Sequence, residues 1–148
     1  MIYLKEKDFK VEKTRNVDEI ASIAFHDEIW PKLTNPKTPK TKDIFKNKNG
    51  HFYIFKNNAE ELMGIVVFSI IAPNLHIVDI GSISKFRGSL IYKCGSLALK
   101  MHEEIFNKPI ILGQIRLSNK QSLHFALKHG FKIIATDNHY FHVEKLEE

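Results

Sequence analysis

Ile115-Arg-Leu-Ser-Asn119-Lys-Gln-Ser122-Leu-His-Phe125-Ala-Leu-Lys-His-Gly130-Phe131 is the stretch on which the fold turns. It follows the apolar run Ile110-Ile-Leu-Gly-Gln-Ile115, so it begins as a strand end. Ser118 or Asn119 can then cap a helix, since a short polar side chain accepts from its free early N–H groups. Gly130 marks the helix C-terminus, where glycine takes a left-handed conformation without a Cβ penalty. Phe131 returns the chain to the core, and Phe131–Thr136 with His139–Val143 reads as a closing hairpin.

Working outward, Gly88 to Phe106 predicts an amphipathic helix. Leu90, Cys94, Leu97, Met101 and Ile105 fall on one stripe, with Lys93, Lys100 and Glu104 off it. A strand on each side of this helix implies a parallel or mixed pair in one sheet. Upstream, the strands around His51–Lys56, Leu62–Ile71 and Leu75–Ser82 have connections too short for crossovers, which predicts an antiparallel meander. Asn16-Val-Asp-Glu19 has capping-box spacing, so a helix is expected from Val17 until Pro31 stops it. Thr41–Lys46 predicts a short helix, and the first fifteen residues one or two edge strands.

The chain has 148 residues, 22 Lys+Arg against 17 Asp+Glu, and a formal net charge of +5. This predicts one domain spanning residues 1–148. No run of about 18 apolar residues occurs, and the N-terminus mixes charges where a signal peptide needs an apolar run. The expectation is a cytoplasmic protein with no membrane partner. The lone Cys94 excludes an internal disulfide and any cysteine-built metal site, and no histidine pair has converging spacing. Six lysines between Pro31 and Asn49 face one acid, Asp43. Without Arg–aromatic interleaving, a solvated basic loop is a better reading than a nucleic-acid patch.

The element order and the Asn119–Phe131 segment resemble the GNAT superfamily of acyl-CoA-dependent N-acyltransferases. The resemblance covers nearly the whole chain. It implies an α/β (α+β) fold: a mixed, mostly antiparallel sheet of six or seven strands, flanked by helices and splayed where strand 76–82 meets strand 110–116. The junction Ile83-Ser-Lys-Phe-Arg87-Gly88 is similar to the family's pyrophosphate loop, where an anion meets the free N–H groups of a helix start. The implied cofactor is acetyl-CoA. Lys85, Arg87, Gly88 and Ser89 would face its pyrophosphate, Asn119 and Ser122 its pantetheine arm, and Ile80 and Ser82 its thioester end. The acceptor would be an amine, on a small molecule or a protein; a homodimer is left open.

Two departures stand out. Leu90 and Tyr92 occupy later glycine positions of that loop, and Ala126 occupies the place of the family's frequent tyrosine acid. Phe25-His-Asp-Glu-Ile-Trp30-Pro31 is similar to bacteriophage-encoded GNAT-like proteins, so a non-catalytic binding or structural role, of phage origin, is the alternative. A transferase acting on charged tRNA through the basic loop ranks last.

A transferase needs a group to deprotonate the acceptor amine. His76 is one candidate base, its plain alternative being a hydrogen-bonded strand histidine. Asp79 lies three positions on, therefore on the opposite face, and among Ile77, Val78 and Ile80 reads as a partner in a salt bridge or a strand-end bond. Glu28 could enter from the first helix. Tyr140 could replace the missing acid, its alternative being cross-strand packing. Cys94 reads as core.

Overall fold

The computed structural model describes residues 2–6, 8–34 and 37–146, so Asn35 and Pro36 of the basic loop lie outside it. Eight strands form one sheet: β1 (Ile2–Lys5), β2 (Phe9–Thr14), β3 (Gly50–Asn57), β4 (Leu62–Ala72), β5 (Leu75–Ser82), β6 (Ile110–Arg116), β7 (Phe131–Thr136) and β8 (Tyr140–Lys145), in the order β1-β2-β3-β4-β5-β6-β8-β7. The mixed, mostly antiparallel sheet is as expected; it has eight strands among the described residues rather than six or seven because both segments of the first fifteen residues pair as strands. Every pairing is antiparallel except β5 with β6. No described helix is long and apolar enough to cross a membrane.

Among the described residues the α-helices are α1 (Val17–Ala24), α2 (Trp30–Leu33), α3 (Ser89–Phe106) and α4 (Lys120–Lys128). Asn16 caps α1 by accepting from the Glu19 N–H at 3.2 Å. The reciprocal half of the box is not made, because the Glu19 carboxylate accepts from Lys56 instead. The first helix also ends at Ala24, short of the expected Pro31. Pro31 sits in the first turn of α2, where its missing N–H leaves no bond unmade. The 41–46 segment is a 3-10 turn.

Alternation along the strands divides the core. Tyr53, Phe55, Val66, Phe68 and Ile111 pack on the face covered by α3 and α4. Ile54 and Ile65 pack on the other face with Ile20, Ile23 and Ile29. The buried side of α3 is Ile91, Cys94, Gly95, Ala98, Leu99, Met101 and His102, displaced from the expected stripe, and Ile105 is exposed. Close approach explains the small residues. A Cβ on Gly95 would lie 2.8 Å from the Phe125 ring of α4.

β5 and β6 pair only at Leu75–Ile77 with Ile110–Leu112. Beyond those rungs the strands separate, and the sheet is open at its centre.

Candidate active site

The opening is the mouth of a cleft of about 1070 Å³. One side is lined from the α3–α4 face by Gly95, Leu99, Phe125, Ala126 and Phe131. The other side is lined by Asp79, Gln114, Arg116 and Tyr140, under an overhang that includes Pro31, Leu33, Thr34 and Thr38. Register places these polar groups together. Continuing the β5–β6 pairing sets Asp79 level with Gln114, while Gln114 opposes His142 and Arg116 opposes Tyr140. Residues that oppose one another project to the same side of a sheet.

Asp79 therefore stands two residues past the last β5–β6 rung, at the apex of the split. Its carboxyl accepts no hydrogen bond and forms no ion pair among the described residues. Burial pushes its pKa up to about 6. Among the described residues the salt bridge expected for it is absent, and it is the one carboxylate that lines the cleft. Strand parity was the available signal, since His76 and Asp79 must face opposite ways.

His76 is the other half of that parity and is corrected here. It is fully buried against α3, with Nδ1 2.7 Å from His102 Nε2, and does not line the cleft. His102 Nδ1 is in turn 2.8 Å from the Tyr53 hydroxyl. A general base must reach its proton directly or through one water, which removes His76 from that role. Glu28 is also displaced. It accepts from the Ser84 hydroxyl and N–H, bonds that hold its carboxyl below the usual range, and it fixes the turn before α3. Tyr140 does line the cleft.

A smaller recess of about 90 Å³ adjoins the cleft, lined by Ser82, Arg87, Gly88, Gln121, Ser122 and Lys32 among others. It lies at the start of α3, where no side chain caps the first N–H groups. Gly88 holds φ at +124°, a conformation other residues resist, and a Cβ there would meet nothing within 4 Å. Arg87 donates to Gln121 Oε1 at 3.2 Å across the recess. Open amides, a helix N-terminus and two cations suit an anion. Ile80 lines both spaces.

Of the remaining expected contacts, Ser89 is the exposed first residue of α3 and offers its backbone N–H. Lys85 is turned aside, 3.6 Å from Glu61 and over the Phe86 ring, and lines neither space. Asn119 caps α4 by accepting from the Ser122 N–H at 3.1 Å, and both residues line the cleft. Leu90 and Tyr92, at the later glycine positions of the loop, do not line the recess. Leu90 packs into the core, and Tyr92 reaches α4, donating to Lys128 O at 3.0 Å. Sequence reasoning did not single out Lys32, Gln114, Arg116 or Gln121 as cleft residues; only the tertiary register brings them there.

This fold, with its central sheet split between parallel strands, matches the GNAT fold of solved N-acetyltransferases. Ribosomal-protein-S5-alanine acetyltransferase from Vibrio fischeri superposes with a TM-score of 0.77 at 12% identity, covering 99% of this chain and 97% of that one. Campylobacter jejuni N-acetyltransferase PseH, solved with acetyl coenzyme A, gives 0.73 at 13%, covering 95% and 99%. PaiA N-acetyltransferase from Thermoplasma acidophilum, solved with coenzyme A, gives 0.72 at 18%, covering 94% and 99%. No family model and no curated protein matches the sequence.

Proposed function

We propose that the chain is an acetyl-CoA-dependent N-acetyltransferase acting on an amine. One observation carries this reading: an unpaired carboxylate with a raised pKa stands at the apex of the β5–β6 split, beside an open helix N-terminus. The fold neighbours solved with acetyl-CoA or CoA support the same cofactor.

The cofactor supplies a thioester-activated acetyl group. The first amides of α3, with Arg87 and Lys32, would hold its pyrophosphate. Asn119 and Ser122 would border its pantetheine arm, and Ile80 and Ser82 would lie along its path. The free edge of β5 beyond Ile77 offers backbone groups to orient the acyl carbonyl. Asp79 accepts the proton that the acceptor's ammonium must lose. A base near pKa 6 is mostly ionised at neutral pH, yet basic enough to take a proton. Tyr140 presents a hydroxyl donor from β8, where Ala126 of α4 offers only a methyl group.

Asp79→Asn tests this reading. The substitution should lower kcat by about 100-fold or more. It should also abolish an acidic limb near pH 6 in kcat/KM, with acetyl-CoA affinity retained. In the wild type that limb rises with pH, because Asp79 acts as a base only once ionised. Ala126 favours a second reading, a catalytically silent GNAT-fold protein in a phage structural or host-interacting role. Acetyl-CoA binding without transfer to any amine would select it; no calorimetric heat at high micromolar acetyl-CoA would remove the enzyme reading.

A further inference from the structure

We infer that the acceptor is an amine that also carries an anion, a carboxylate or a phosphate, held by Arg116. This rests on the transferase reading above and specifies its substrate class. The cleft lining carries three cations, Lys32, Arg87 and Arg116, against one carboxylate, Asp79. Two of the three have a use at the cofactor end, because Lys32 and Arg87 also line the recess at the start of α3. Arg116 does not. It lies on β6 opposite Tyr140, on the Asp79 side of the sheet, roughly 7 Å along the strand from Gln114.

Arg116 is exposed, and its side chain makes no hydrogen bond or ion pair among the described residues. Its guanidinium fork is therefore free, in the geometry that takes a carboxylate or phosphate through two parallel bonds. The neighbouring acid on this face is occupied: Asp137 accepts from the His139 and Tyr140 N–H groups and lies 2.7 Å from His142 Nε2. A polycationic acceptor would meet like charge at Arg116, and rejection by an unpaired like charge is an effective form of specificity. An amine bearing an anion places its nitrogen toward Asp79 and its negative group on Arg116.

The test measures thiol release from acetyl-CoA with glutamate, 4-aminobutyrate, O-phosphoethanolamine, ethanolamine and spermidine, and binding of each amine to protein saturated with CoA. The anion-bearing amines should be preferred over ethanolamine and spermidine, and the carboxylate and phosphate arms separate the two anions. R116A should reduce the kcat/KM ratio of the preferred anionic amine to ethanolamine by about 10- to 100-fold. R116K should restore part of it, and R116E should shift preference toward spermidine. Wild-type preference for spermidine or ethanolamine, or failure of every anionic amine to bind, overturns the inference while leaving the transferase reading in place. So does an R116A ratio equal to wild type, or an R116A loss shared equally by acetyl-CoA binding and all acceptors. No acetyl-CoA binding by the wild type overturns both.

Discussion

Lowering the pH from 7 to 5 should destabilise this fold, although Asp79 takes up a proton in the same range, because it buries histidines in their neutral form. His102 has no exposed surface, stacks on Phe68 at 3.7 Å between ring centroids, and is bonded to Tyr53 and His76. Burial, with the neighbouring histidines and Lys13, lowers its pKa to about 3, and His51 falls to about 4 for similar reasons. Unfolding returns both toward 6.5. A histidine with a depressed folded pKa takes its proton only in the unfolded chain. Its penalty is absent above pH 6.5 and grows as pH falls below it. At pH 5 the loss is about 2 kcal/mol for each, about 4 kcal/mol for the pair. Asp79 works in the opposite direction, since its raised pKa lets the folded state bind a proton first, offsetting roughly 1 kcal/mol. His76, also lowered, adds to the loss.

A net loss of about 3 kcal/mol is a large part of a typical domain's 5–15 kcal/mol. Urea unfolding followed by far-ultraviolet circular dichroism at pH 7, 6 and 5 measures it. The decisive comparison is H102Q, which keeps a donor and an acceptor near Tyr53 and His76 but cannot titrate. Its stability at pH 7 can fall, yet its loss between pH 7 and pH 5 should be smaller than wild type by about 2 kcal/mol. Equal pH dependence in the two proteins, or none in the wild type, would refute the linkage.

Other perturbations separate the parts of the molecule. Arg87→Ala should weaken acetyl-CoA binding by about 10- to 100-fold with little change in unfolding midpoint, since a surface charge-assisted contact is removed; isothermal titration calorimetry decides it. Lys85→Ala, directed at a side chain already engaged by Glu61, should leave that affinity near wild type in the same assay. Gly64→Ala should lower the melting temperature by several degrees, because its Cβ would lie 2.7 Å from the Gly81 carbonyl and crowding of a packed strand pair costs about 1–3 kcal/mol. An unchanged melting temperature would show that β4 and β5 move apart freely there.

The elements that set the architecture were legible because their signals are local. Asn119 caps α4 and Gly130 adopts φ of +87° after it, as residue chemistry alone requires. The β5–α3–β6 crossover followed from the length of the connection. The phase of α3 did not follow. Hydropathy assigns a histidine to neither face, and His102 is buried only because Tyr53 on β3 and His76 on β5 meet its two nitrogens. Without that knowledge the stripe is drawn through Leu90 and Ile105, and His76 is left looking available as a base.

The same limitation explains Leu90 and Tyr92. Counted along a line, both fall where a loop needs glycine. Counted around a helix, two residues diverge by roughly 200°, so their side chains cannot crowd one side of the axis together. Tyr92 leaves toward the Phe125 and His129 rings of α4, and the recess beside Gly88 stays open. The cleft carries this to its end, since Asp79, Arg116 and Tyr140 come from three strands. No spacing within any one strand relates them. What brings them together is the premature end of the β5–β6 pairing at Ile77, which turns an ordinary sheet position into a carboxylate facing a cleft. The site is thus a property of where pairing stops, and a carboxylate that reads as a salt-bridge partner becomes, in the reaction proposed above, the group placed to accept a proton.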